Sequence, residues 1–139
     1  MHFTDLYSPT ILAMALAGFL LLLQLIVADL AAIKTGHKPG HPIPADSNTF
    51  LFRSARAHAN TNESISVFLL FAAAGVLANA NPAWLNTLSW AYVGCRAGHM
   101  TAYYAGLMLP RSIVFGASLI VLLGMFMTVL CGFSNGAAA

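Results

Sequence analysis

The chain has 139 residues, 59% of them hydrophobic and only 7% charged, with a mean hydropathy of +0.78. An ordinary soluble domain carries about 25% charged residues, so the composition excludes a soluble enzyme and points to a membrane protein. The net charge of +2 is small and its six basic residues form no soluble basic surface, which excludes nucleic acid as a partner.

Four stretches are long enough to cross a hydrocarbon core of about 30 Å, which takes roughly 20 helical residues. The first, Pro9 to Ile33, is apolar apart from Gln24 and Asp29. It lacks the basic flank of a secretory signal and exceeds the usual length of one, so it is expected to be a retained helix, started by Ser8-Pro9. Lys34 to Asn48 carries three prolines, two glycines and two histidines and is expected to be a connecting loop. A second helix is expected over 49–77, capped by Ser47 or Asn48. Asn79 to Pro82, NANP, is expected to turn tightly into a third helix over 83–109, with Trp84 and Trp90 at the membrane interface. Pro110 is expected to break the chain before a fourth helix over 111–133, leaving Ser134 to Ala139 as a disordered tail. The expected fold is all-α: one integral membrane four-helix bundle spanning residues 1–139.

Lys34, Lys38, Arg53, Arg56, Arg96 and Arg111 all lie in or beside the first and third connections. The positive-inside rule then places those connections in the cytoplasm and both termini on the non-cytoplasmic side. Cys95 and Cys131 sit in apolar runs without CxxC or Cys/His spacing, so buried inert thiols are expected, with no disulfide and no metal.

Two polar stripes interrupt the apolar pattern. At about 100° per residue, Arg53, Arg56, Asn60 and Glu63 fall within an arc of roughly 80° on the second helix. On the third, Tyr92, Arg96, His99 and Tyr103 recur at spacings of four, three and four and share one face. Burying one ionised group in hydrocarbon costs about 3 kcal/mol or more, so such stripes must face protein, water or a ligand. With Arg111 at the head of the fourth helix, four guanidinium groups gather around the single carboxylate of Glu63. That excess calls for an anionic ligand or lipid headgroups. Arg111 also opposes the dipole of its own helix, a placement that a nearby anion explains.

Plainer readings stand beside this one. Arg53 alone is as well explained by snorkelling to lipid phosphates. Arg56 and Glu63 can belong to a structural network, since polar groups glue membrane bundles together. His58 lies about 140° from Arg53, with Asn62 on its side, a pattern typical of an interhelical or intersubunit hydrogen bond. His37 and His41 lack a third ligand and are expected to be solvated, Tyr7 and Tyr104 to lie at the interface, and Gln24 to be a buried hydrogen-bonding group. Gly94 and Gly98 form a GxxxG that permits close helix approach.

The run RSARAHANTNES resembles the second-helix signature of the membrane-associated proteins in eicosanoid and glutathione metabolism, the MAPEG family. Arg53, Arg56, Ala57, His58, Asn60 and Glu63 match it in register, and Arg96, His99 and Tyr103 resemble its third-helix pattern. The chain differs at Ser64, where the family often has an aromatic or asparagine, and at Asp29 and Lys34, where it has an arginine pair. The resemblance, which extends to bacterial microsomal glutathione transferases, implies a homotrimer of left-handed four-helix subunits in a bacterial inner membrane, with glutathione held between neighbours. It implies that Arg56, Asn60, Glu63 and Tyr103 hold the tripeptide, with Arg53, Arg96 and His99 completing the set, while His58 reaches the neighbour's ligand. Arg111 would stabilise the thiolate for attack on a small lipophilic electrophile. The expected activity is a glutathione-dependent transferase or peroxidase; the alternative is a non-enzymatic binding or scaffold protein of the same fold.

Overall fold

A computed structural model describes residues 3–136. A short helical turn, α1 (Phe3–Leu6), leads into α2 (Ser8–Thr35); after the loop come α3 (Phe50–Leu77), α4 (Pro82–Tyr104) and α5 (Met108–Gly136). The described residues contain no strand. Three of the long helices, α2, α3 and α5, are long and apolar enough to cross a membrane. The fourth, α4, has 23 residues, about 35 Å at 1.5 Å per residue, but its apolar content is diluted by polar groups. Those groups point inward: Ser89, Tyr92, Arg96 and His99 are all buried. Helix α4 thus keeps these polar side chains inside the bundle, while Phe19, Leu30, Ile33, Leu70, Ile120 and Leu123 are presented outward. This is an integral membrane protein with an all-helical fold.

Local chemistry sets the helix ends. Pro9 lies in the first turn of α2, where its missing N–H is not needed, and Gly36 closes that helix in the left-handed region at φ 68°. The cap of α3 is Thr49, one residue later than expected; its Oγ1 accepts from the Phe52 N–H at 3.4 Å. Asn81 Oδ1 accepts from the N–H groups of Ala83 and Trp84 at 3.0 and 3.3 Å and starts α4. The largest departure from expectation is at the other end of α4, which stops at Tyr104 and not at Leu109. Gly106, at φ 72°, reverses the chain there, so Pro110 falls in the first turn of α5 and breaks nothing. The segment Ser134–Gly136, expected as a loose tail, continues α5; Ala137 to Ala139 lie outside the described residues.

The core is built from Ala13, Ala17, Ile65, Phe68, Ala72, Leu85, Tyr92, Leu122 and Met125. Phe68 and Tyr92 stack with ring centroids 4.3 Å apart, tying α3 to α4. The end that holds the α3–α4 turn is closed by polar ties. Tyr7, expected at the interface, is 2% exposed and donates its hydroxyl to the Ala80 carbonyl at 2.6 Å. Asn86 accepts from the Thr10 hydroxyl at 2.7 Å and donates to the Leu6 carbonyl at 3.0 Å. Gly132 of α5 passes so close to the turn that a Cβ on it would lie 2.9 Å from the Ala80 Cα. The close approach expected at Gly94 is absent: nothing lies within 4 Å of a Cβ placed there.

Candidate functional site

At the opposite end, α3, α4 and α5 bring their polar faces together. Arg96, projecting from α4, is 1% exposed. One Nη donates to Asn60 Oδ1 on α3 at 2.8 Å and the other to the Ser118 hydroxyl on α5. Its Cζ lies 5.5 Å from the Tyr92 ring centroid and 5.7 Å from that of Phe115, within the range of cation–π attraction. One side chain therefore ties three helices at one level. His99, one turn along α4, is also buried and meets Tyr103 edge-on with centroids 4.9 Å apart.

Arg111 enters this cluster because the chain reverses at Gly106 and starts α5 three residues before it. Its Cζ sits 4.6 Å from the centre of the Tyr103 ring. A cation–π contact of this kind holds the guanidinium over the ring without consuming its N–H donors. Arg53 caps the loop: its Nη1 donates to the Ser47 and Asn48 carbonyls at 3.0 and 2.8 Å, and its Cζ lies 5.9 Å from the Phe50 ring. Those carbonyls account for Arg53 better than lipid phosphates do.

Three spaces adjoin the cluster. A cavity of about 160 Å³ has Arg53, Gly106, Tyr103 and Arg111 in its wall. A second, about 190 Å³, is lined by Asn60, His99, Tyr103, Arg111, Ser112 and Phe115. The third is a groove of about 570 Å³ between α3 and α5, with Asn60, Glu63 and Ser64 at one end and Val67, Phe71, Leu119, Leu123 and Phe126 along its apolar length. Tyr103 and Arg111 are common to the two small cavities, and Asn60 to the second and the groove. A cationic, hydrogen-bonding end thus passes into an apolar slot.

Of the residues singled out in the sequence, Arg53, Asn60, Arg96, His99, Tyr103 and Arg111 converge. Arg56 and Glu63 are exposed on α3 and, among the described residues, make neither an ion pair with each other nor a hydrogen bond within the chain. His58 faces elsewhere, into a cavity of about 640 Å³ shared with Asp29, His37 and His41. No group of three metal-binding side chains occurs among the described residues. His37 contacts the His41 carbonyl through Nε2 at 3.1 Å. Gln24 is buried as expected, yet neither its Nε2 nor its Oε1 has a hydrogen-bond partner among the described residues. Tyr104 is half-buried against Phe50, with centroids 5.4 Å apart. Cys131, expected to be buried, is exposed on α5, and Cys95 is half-buried on α4.

Ser118 and Phe115 were not singled out, although they lie seven and four residues beyond Arg111 and so share its face of α5. Ser64 makes up for its missing aromatic ring in another way. Its hydroxyl pairs with that of Tyr92 at 2.8 Å inside the bundle.

Compared with known protein families, residues 10–131 match the MAPEG family, which covers most of the chain and both polar stripes. The chain belongs to the MAPEG family. No curated protein matches it closely enough to be named as a relative. In this MAPEG protein the signature residues of α3 and α4 sit opposite each other, joined by the bond from Arg96 to Asn60.

Proposed function

We propose that the protein is a glutathione-dependent transferase or peroxidase acting on lipophilic electrophiles, working as a homotrimer in a bacterial inner membrane. Membership of a family that includes glutathione transferases and peroxidases supports the reaction class. The observation that carries the reading is Arg111, which lies over the Tyr103 ring without a side-chain hydrogen bond among the described residues, at the wall of a polar cavity that shares Asn60 with an apolar groove. A thiol tripeptide needs cations for its carboxylates and a carboxylate for its amine; a lipophilic electrophile needs an apolar slot within reach of the sulfur.

In this reading Arg53 and Arg56 face the tripeptide's carboxylates and Glu63 its ammonium group. Both Arg56 and Glu63 are exposed and unpaired among the described residues, which fits a site completed by a neighbouring copy, with His58 contributed to that neighbour's ligand. Arg111 holds the sulfur as thiolate. A free cysteine-type thiol has a pKa of about 8.5, so a shift of one to two units, about 1.4 kcal/mol each, makes it mainly ionised near neutrality. The thiolate then forms a bond to the electrophilic carbon, and the leaving group departs with the electron pair.

The test is a conjugation assay on the detergent-purified chain, with glutathione and a generic aromatic electrophile. The wild type should exceed the solution rate and Arg111→Ala should fall by about 100-fold or more toward it, as loss of a charge-stabilising donor does. If wild type and variant both run at the solution rate, the chain is not this enzyme.

A further inference from the structure

Arg96 is buried without an ion pair among the described residues. Its contacts are the Asn60 carboxamide and, at 3.5 Å, the Asn60 main-chain carbonyl, the Ser118 hydroxyl and the faces of Tyr92 and Phe115, none of which carries a charge. A buried cation without a counter-ion is costly, and a bundle that needed only a tie between helices could use a neutral amide or hydroxyl at this point. The geometry of the bond to Asn60 supplies a reason for the charge.

An arginine has five donors and no acceptor, so only the Oδ1 of Asn60 can face it. The 2.8 Å bond therefore settles which way the carboxamide points. Its Nδ2 makes no hydrogen bond within the described residues, and Asn60 lines both the 190 Å³ cavity and the 570 Å³ groove. Ser118 holds the guanidinium in turn: its Oγ donates to the Phe115 carbonyl at 2.7 Å, which leaves its lone pairs for Arg96. A charged donor on Oδ1 also polarises the amide and makes its N–H groups better donors.

We propose that Arg96 is a positioning residue. It locks Asn60 with its NH₂ toward the ligand, so that this position accepts only a hydrogen-bond acceptor, a carbonyl or carboxylate oxygen of the bound thiol peptide. The proposal rests on the thiol-binding reading above and adds which chemical group Asn60 selects and what fixes that choice.

The experiment measures glutathione binding by calorimetry on the full chain in detergent, for wild type, Asn60→Ala, Arg96→Gln, the double variant, Asn60→Asp and Ser118→Ala. Arg96→Gln should weaken binding about tenfold in the wild-type background but less than about twofold when Asn60 is already alanine, because its effect passes through that amide. Asn60→Asp keeps a partner for Arg96, and an ionic one, so it should stay folded, yet it offers no donor and should lose about tenfold or more in affinity. Ser118→Ala should weaken binding by about threefold, the loss from a less firmly held guanidinium.

An undiminished effect of Arg96→Gln in the Asn60→Ala background, or wild-type affinity in Asn60→Asp, would overturn the proposal. Should Arg96→Gln fail to give a monodisperse protein, Asn60→Asp and Ser118→Ala decide the matter by the same outcomes. A wild type that binds no glutathione defeats the thiol reading itself, and this inference with it. That result is distinct from a wild type that binds while the cycle is additive.

Discussion

Arg111 has two separable properties, its charge and its stacking on Tyr103. A cation beside a thiol favours the ionised form, so removing it raises the thiol pKa. In Arg111→Ala the pH midpoint of conjugation should therefore climb by one to two units toward about 8.5, and Arg111→Lys, which keeps charge but not the planar stack, should fall between. A rate–pH profile for the three proteins measures it; an unchanged midpoint would remove the thiolate role. Ser64 offers a second handle. Its hydroxyl is the partner of the buried Tyr92 hydroxyl, and Ser64→Ala leaves that group unpaired, at a cost of about 1–3 kcal/mol in detergent unfolding. The sequence makes Arg111 visible because a cation at the head of an apolar helix is anomalous. Ser118 stays hidden because serine is unremarkable in a membrane helix and acquires meaning only when Arg96 reaches it from another element.

Helix positions were legible from apolar run length and their ends much less so, because ends are decided by backbone geometry. Pro110 reads as a breaker in the sequence, but the reversal belongs to Gly106, and the proline is harmless in a first turn. The difference is functional, since it sets Arg111 four residues into α5 and opposite Tyr103. Glycine packing shows the same limit. The GxxxG of Gly94 and Gly98 looks like a contact motif, yet a Cβ would meet nothing at Gly94 and only Val114 at 3.6 Å at Gly98, while at Gly132 an added Cβ meets backbone at 2.9 Å and 3.0 Å. Gly132→Ala should thus destabilise the bundle by about 1–3 kcal/mol, since the turn at Ala78 to Ala80 cannot move aside as a flexible side chain would. Gly94→Ala should be neutral or stabilising, as alanine is the better helix former by about 1 kcal/mol. Thermal unfolding of both variants in one detergent tests the contrast.

Across the whole molecule the helices differ in what their outer faces tolerate. Helices α2 and α5 are far more apolar along their length than α3. Yet α3 is not withdrawn from the surface: Arg56, Asn62, Glu63 and Ser66 are all exposed on it. A helix with charged and amide side chains on its outer face is poorly solvated by lipid tails, where each ionised group costs about 3 kcal/mol or more. A second copy of the chain covering α3, as in the proposed trimer, would remove that cost and leave α2 and α5 to the lipid. The sequence could announce the polar stripe but not that it stays uncovered in the single chain, because exposure follows from how α2, α4 and α5 pack around α3. The expected outcome is specific to a face. With Cys95 and Cys131 replaced by alanine, a cysteine at Asn62 should give a disulfide-linked dimer on a non-reducing gel after mild oxidation in membranes. A cysteine at Ile120, 72% exposed on α5, should remain monomeric. The reverse pattern would mean that α3 faces lipid, and a site shared between neighbouring copies could not then be built from Arg56 and Glu63.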